Sequence, residues 1–116
     1  MKIHTLCFDI DNTICKTSGN NYSISKPIKK NIKVINALHK KGHKIIIFTA
    51  RHMTTTNGKI KEVYDMGYKK TYNQLTKWGL KFDELIMGKP SYDLFVDDKN
   101  MGFTKNWSEK IKKKYL

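Results

Sequence analysis

Leu6-Cys7-Phe8-Asp9-Ile10-Asp11-Asn12-Thr13 runs from an apolar segment straight into two closely spaced carboxylates. Near the other end of the chain, Asp93-Leu94-Phe95-Val96-Asp97-Asp98-Lys99 has the same form. A short apolar run bounded by polar or turn residues reads as a buried strand, so each run carries its acids to a strand's carboxyl end. Four of the ten acidic residues in this 116-residue chain fall in these two pairs, against 23 basic residues overall. Crowded like charges are costly unless a cation lies among them, and a hard divalent ion takes carboxylate oxygens. The two pairs are therefore expected to meet at one rim around Mg2+. The competing reading makes them ordinary turn or helix-cap residues.

Between and around these pairs, strand patterns alternate with helical ones. Lys2 to Phe8 reads as the first strand, and Lys16 to Ser25 as a polar loop. Ser25 then offers an N-cap ahead of Pro27, and Ile28, Ile32, Ile35 and Leu38 recur on one helical face until Gly42. Lys44 to Thr49 is a second buried strand, followed by a Thr- and Asn-rich loop from Arg51 to Gly58. Ile60, Val63, Tyr64, Tyr68, Leu75 and Trp78 mark a long helix that ends at Gly79 and could kink at Gly67. Glu84 to Met87 and Tyr92 to Val96 supply two more strands, and Lys105 to Tyr115 a last helix or frayed end. This order predicts an α/β fold: a mostly parallel sheet with helices on both faces, joined by right-handed crossovers. Ligands of such sheets sit at the strands' carboxyl ends, where Asp9, Thr49, Lys89 and Asp97 all fall.

Length and composition narrow the function classes. The chain is expected to be one domain spanning 1–116. Its longest apolar runs fall far short of the roughly 20 residues of a membrane span, and Met1-Lys2-Ile3-His4 does not open a signal peptide. A soluble cytoplasmic protein with no membrane partner is expected. Cys7 and Cys15 lack CxxC spacing, which points to free thiols. The net charge of +13 raises nucleic-acid binding. However, 22 of the 23 basic residues are lysine and only Arg51 is arginine, whereas phosphate and base recognition favours the guanidinium fork. Nucleic acid is therefore the less favoured partner.

Four short segments, in order, carry a resemblance that covers nearly the whole chain: Asp9-Ile10-Asp11-Asn12-Thr13, Phe48-Thr49-Ala50-Arg51, Gly88-Lys89-Pro90 and Val96-Asp97-Asp98. The sequence resembles the haloacid dehalogenase superfamily of phosphohydrolases, whose motifs are a DxDxT strand end, a Thr or Ser, a Lys and a terminal acidic pair. The resemblance implies a three-layer Rossmann-like core. Too few residues separate the motifs for a cap domain. Ser25 to Ile35 and Gly79 to Lys99 are similar to small cap-less phosphatases of capsule or lipopolysaccharide biosynthesis.

What the resemblance implies is a Mg2+-dependent phosphomonoester hydrolase. Asp9 would attack phosphorus and form an aspartyl-phosphate, while Asp11 would protonate the leaving group and then deprotonate water. Thr49, the neighbouring Ala50 backbone and Lys89 would cradle the phosphate, with Thr13 steadying the turn. Asp9, the Asp11 carbonyl, Asp97 and Asp98 would hold the metal. Asn12 departs from the family's usual glycine, although asparagine tolerates a left-handed backbone. Arg51 and His52 are expected to overhang the crevice and meet a second anionic part of the substrate, whereas His4, His39 and His43 read as structural or exposed. An open crevice suits a large substrate, or a small sugar phosphate enclosed by a neighbouring subunit of a homo-oligomer. Tyr64, Tyr68, Tyr72 and Trp78 are available for that contact. The alternatives are a polynucleotide 3′-phosphatase and a basic nucleic-acid-binding module on the same fold.

Overall fold

Three short parallel strands fix the position of everything that follows. β1 (Thr5–Phe8) and β4 (Lys44–Thr49) pair with Phe8 opposite Ile47, and β4 pairs with β5 (Glu84–Met87) with Thr49 opposite Met87. The sheet order is β1-β4-β5, so all three carboxyl ends lie on one rim. In this computed structural model residues 2–116 are described; Met1, where the expected domain span begins, lies outside the described residues. Among them no helix is long and apolar enough to cross a membrane.

The β4 run of isoleucines makes the core because side chains alternate across a strand. Ile45 and Ile47 are fully buried, each stabilising the fold by about 1.5–3 kcal/mol, and Ile46 and Phe48 are partly covered on the other face. The helix α1 (Lys29–Lys40) packs on β4 through Ile32, Ile35 and Leu38, and the helix α2 (Ile60–Lys77) packs on β5 through its buried Val63 and Leu75. The helix α3 (Trp107–Tyr115) lies against α1, and its Trp107 ring packs 5.4 Å from that of Phe8. The result is the expected α/β fold, with a parallel sheet and no cap domain.

Three local expectations are corrected. The polar segment after Asp11 is not a plain loop: β2 (Cys15–Lys16) pairs antiparallel with β3 (Lys26–Pro27), and a 3-10 turn at Tyr22–Ile24 closes the hairpin. Ser25 consequently caps no helix; its hydroxyl meets that of Thr17 at 2.6 Å, and Ile28 stands at the start of α1 with no side-chain cap. Tyr92–Val96 forms no strand, and Leu94 and Val96 are 79% and 84% exposed. An apolar run needs a partner edge before it becomes a strand, and here none pairs with it.

Helix α2 runs through Gly67 without a break. Glycine inside a helix ordinarily costs about 1 kcal/mol relative to alanine, so Gly67→Ala would be stabilising on propensity alone. Here a Cβ would overlap Cδ2 and Nε2 of the His52 ring. That ring is confined: His52 has φ +68 and packs edge-on against Tyr22 with centroids 5.2 Å apart. Gly67→Ala is expected to lower stability by about 1–3 kcal/mol, the usual range for overpacking. In urea unfolding, His52→Gly added to Gly67→Ala should recover most of that loss, because glycine accepts the positive φ and vacates the space.

Candidate active site

Each strand of the sheet ends in a polar group on the shared rim. Asp9 follows β1, Thr49 closes β4, and Lys89 comes two residues after β5. Gly88 turns the chain there at φ +94, and the Lys89 N–H donates to the Thr49 carbonyl at 3.1 Å. The Lys89 ammonium lies 3.9 Å from Asp9 Oδ2. Burial pushes the Asp9 carboxyl above its usual range, the nearby Asp11 charge adds to this, and Lys89 is the strongest influence in the opposite direction.

That balance makes a direct test available in the metal-free protein. Followed by carboxyl-carbon NMR, Asp9 should titrate above the ordinary carboxylate range, and higher still in Lys89→Gln. A folded-state value above the unfolded one means that the cost of burying the charge applies above that pH. It is relieved as pH falls through the raised value. An Asp9 titration unchanged by Lys89→Gln would show that the two do not interact.

Beyond Asp9 the chain makes one tight coil. The N–H groups of Thr13, Ile14 and Cys15 all point to the Ile10 carbonyl, at 3.1, 2.8 and 3.3 Å. Ile10 and Ile14 anchor the coil in the core, and Asn12 takes the left-handed backbone with φ +62. The Asn31 amide on α1 donates to the Thr13 carbonyl at 2.9 Å, so Thr13 is tied in through its backbone.

The coil delivers Asp11 to Arg51, which does not overhang the crevice as expected. Arg51 is 2% exposed. Its Nε lies 3.0 Å from Asp11 Oδ2 and 3.3 Å from Oδ1, and Nη2 lies 2.9 Å from Oδ1. The Thr17 hydroxyl adds a 2.6 Å bond to Oδ1. Arg51 Nη1 donates to the Gln74 side-chain oxygen at 2.7 Å, and the guanidinium lies 4.7 Å above the Tyr22 ring. Gln74 in turn donates to the Tyr22 carbonyl at 2.7 Å. A buried guanidinium needs its donors matched, and Asp11 supplies most of that match. The Arg51 backbone N–H donates to the Thr49 hydroxyl at 3.1 Å, which leaves that hydroxyl's own proton for another acceptor. His52 is set against Gly67 and Tyr22, and burial lowers its pKa.

Asp9, Asp11, Thr49, Ala50, Arg51 and Lys89 thus fall at one end of the sheet, whereas Asp97 and Asp98 form no metal-holding group with Asp9 and Asp11. Asp97 and Asp98 are exposed, in a turn where Asp97 accepts from the Lys99 N–H at 3.0 Å. That backbone bond, with a contact to Asp98, holds Asp97 below its usual range. Among the described residues no three His, Cys, Asp or Glu side chains gather to hold an ion. Nothing in the sequence marks Thr17, Tyr22 and Gln74, since a threonine and a tyrosine in a polar loop and a glutamine on a helix carry no motif. Of the aromatics proposed for substrate or subunit contact, Tyr64 and Tyr72 are exposed and Tyr68 and Trp78 partly buried. Both cysteines are free thiols.

A family model described as haloacid dehalogenase-like hydrolase matches residues 6–73, more than half of the chain. The fold is similar to that of a target protein from Vibrio cholerae solved by crystallography. The TM-score is 0.79 at 22% identity, over 97% of this chain and 98% of that one. No curated protein matches.

Proposed function

The chain belongs to the haloacid dehalogenase-like hydrolases, and from that membership we propose that it hydrolyses phosphomonoesters through a phosphoryl group carried on Asp9. The observation that carries the reading is the rim itself, where a carboxylate just after β1, a hydroxyl at the end of β4 and an ammonium after β5 converge. Lys89, 3.9 Å from Asp9, balances charge that a phosphoryl group would bring, and Thr49 keeps a proton to donate to a phosphate oxygen. In the first step an Asp9 oxygen attacks phosphorus as the bond to the leaving oxygen breaks. That oxygen takes a proton from Asp11. In the second step a water oxygen attacks phosphorus, its proton passes to Asp11, and the bond to Asp9 breaks.

Magnesium dependence belongs to the proposal, but the acids as placed do not make its site. Lys89 stands against Asp9, and Asp97 and Asp98 lie in an exposed turn, so among the described residues no three acidic side chains gather to hold an ion. What metal binding requires is movement of the acidic turn, and β1 offers a place for it. Among the described residues β1 pairs only with β4, and the exposed Leu94-Phe95-Val96 run could add along its free edge. If so, magnesium chloride should stimulate the wild type and have little effect on Asp98→Asn.

The substrate we favour is a small phosphorylated metabolite such as a sugar phosphate of surface-polysaccharide synthesis, in a cytoplasmic setting. A nucleic-acid end is less well supported. A basic cleft lined by Lys2, Lys41, Lys113 and Lys114 lies beside His4 and His43, at the amino ends of β1 and β4, away from Asp9. Turnover of p-nitrophenyl phosphate with and without magnesium, then of a panel of sugar phosphates and 3′-phosphorylated oligonucleotides, tests the assignment. No turnover of any phosphomonoester under either condition would contradict it.

A further inference from the structure

We propose that Arg51 is a positioning residue for Asp11, fixing with Thr17 which carboxylate oxygen exchanges the proton with the reacting group. This rests on the reading of Asp11 as the proton-transfer group. Arg51 is the only arginine of the chain and is almost wholly buried. Burying a guanidinium is costly unless its donors are matched, and here Nε and Nη2 are spent on holding the Asp11 carboxylate while Nη1 goes to Gln74. Asp11 Oδ1 accepts from Arg51 Nη2 and Nε and from the Thr17 hydroxyl, with the Cys15 thiol at 3.7 Å. Oδ2 accepts only from Arg51 Nε. Oδ2 is therefore the oxygen with lone pairs to spare, on a side chain that is 22% exposed.

The fork is itself clamped from two directions. Gln74 on α2 takes Nη1, and Tyr22 of the hairpin lies under the guanidinium while its carbonyl accepts from Gln74. A lysine at this position would keep the charge but could not hold two carboxylate contacts and Gln74 at once. In the first chemical step the bond from phosphorus to the leaving oxygen breaks, and its electron pair is neutralised by the proton from Oδ2. In the second step a proton of the attacking water returns to Oδ2. A carboxylate free to rotate would lose most where the leaving oxygen is basic. A weakly basic p-nitrophenolate departs with little help.

The test compares kcat for phenyl phosphate and p-nitrophenyl phosphate in the full chain, for wild type, Arg51→Lys, Thr17→Val and Thr17→Ser. A placed proton donor is worth 10²–10⁴-fold in rate, so partial misplacement is expected to cost phenyl phosphate about tenfold more than p-nitrophenyl phosphate. KM should change little in Arg51→Lys and Thr17→Val, and Thr17→Ser should restore the wild-type ratio. Equal falls for both substrates, or a Thr17→Ser enzyme no better than Thr17→Val, would overturn the proposal. So would a wild type that turns over p-nitrophenyl phosphate but not phenyl phosphate. Should Arg51→Lys fail to fold, the two Thr17 variants decide alone. An Asp9→Asn protein as active as wild type would sink the phosphatase reading and this inference with it. An inactive Asp9→Asn with unchanged substrate ratios would sink the inference only.

Discussion

Asp9→Asn is expected to lower kcat for p-nitrophenyl phosphate by about 10³-fold or more, because the group that takes the phosphoryl from the leaving oxygen is gone. The substitution is nearly isosteric and removes a charge that burial already disfavours. Thermal stability should therefore hold or rise slightly, even though Lys89 loses its ion-pair partner. A large loss of rate without a loss of stability separates a chemical role from a structural one. A fall of only a few-fold would mean that the phosphoryl group is transferred to water directly, or that the chemistry lies elsewhere.

The second large effect falls on stability. Arg51→Met is expected to lower the free energy of unfolding by about 3 kcal/mol, since removing one partner of a buried pair leaves the other unmatched. Asp11, Gln74 and the Tyr22 ring would lose their shared contact together. Small domains hold only about 5–15 kcal/mol in all, so the shift in urea midpoint should be large. Asp11→Asn keeps an acceptor for the guanidinium and should cost less. A midpoint for Arg51→Met within error of wild type would show that the fork does not tie the hairpin to α2.

Much of the architecture was legible because its strands are apolar runs whose ends coincide with polar punctuation. Lys44–Thr49 and Glu84–Met87 have the expected bounds, and α2 begins at Ile60 as its spacing predicts. The expected first strand, Lys2 to Phe8, is longer than the one that forms: only Thr5–Phe8 pairs in register with β4, and the His4 carbonyl accepts from the Lys44 N–H at 3.0 Å without extending the strand. The hairpin of β2 and β3 was invisible because two-residue strands have no period to read. Tyr92–Val96 failed for the opposite reason: its apolar run signalled burial, but pairing is a long-range property that no local pattern encodes.

The site divides in the same way. Asp9, Thr49 and Lys89 could be placed on one rim because parallel strands dictate where their carboxyl ends lie. A lone arginine just after a strand reads as a substrate contact, which is why the sequence places Arg51 over the crevice. Its burial depends on Asp11, Gln74 and Tyr22, which lie between 23 and 40 residues away from one partner or another and share no motif. The acidic pair at Asp97 and Asp98 shows the limit of pattern alone, since strand-end acids and turn acids look the same until the strand is found paired.

The most direct measurement is a single-turnover reaction with p-nitrophenyl phosphate, quenched in acid on the millisecond scale and followed by peptide mapping. One phosphoryl group is expected on the peptide that contains Asp9, transient in the wild type and missing from Asp9→Asn. A wild-type enzyme that releases p-nitrophenol while Asp9 never carries phosphate would contradict the assignment of Asp9.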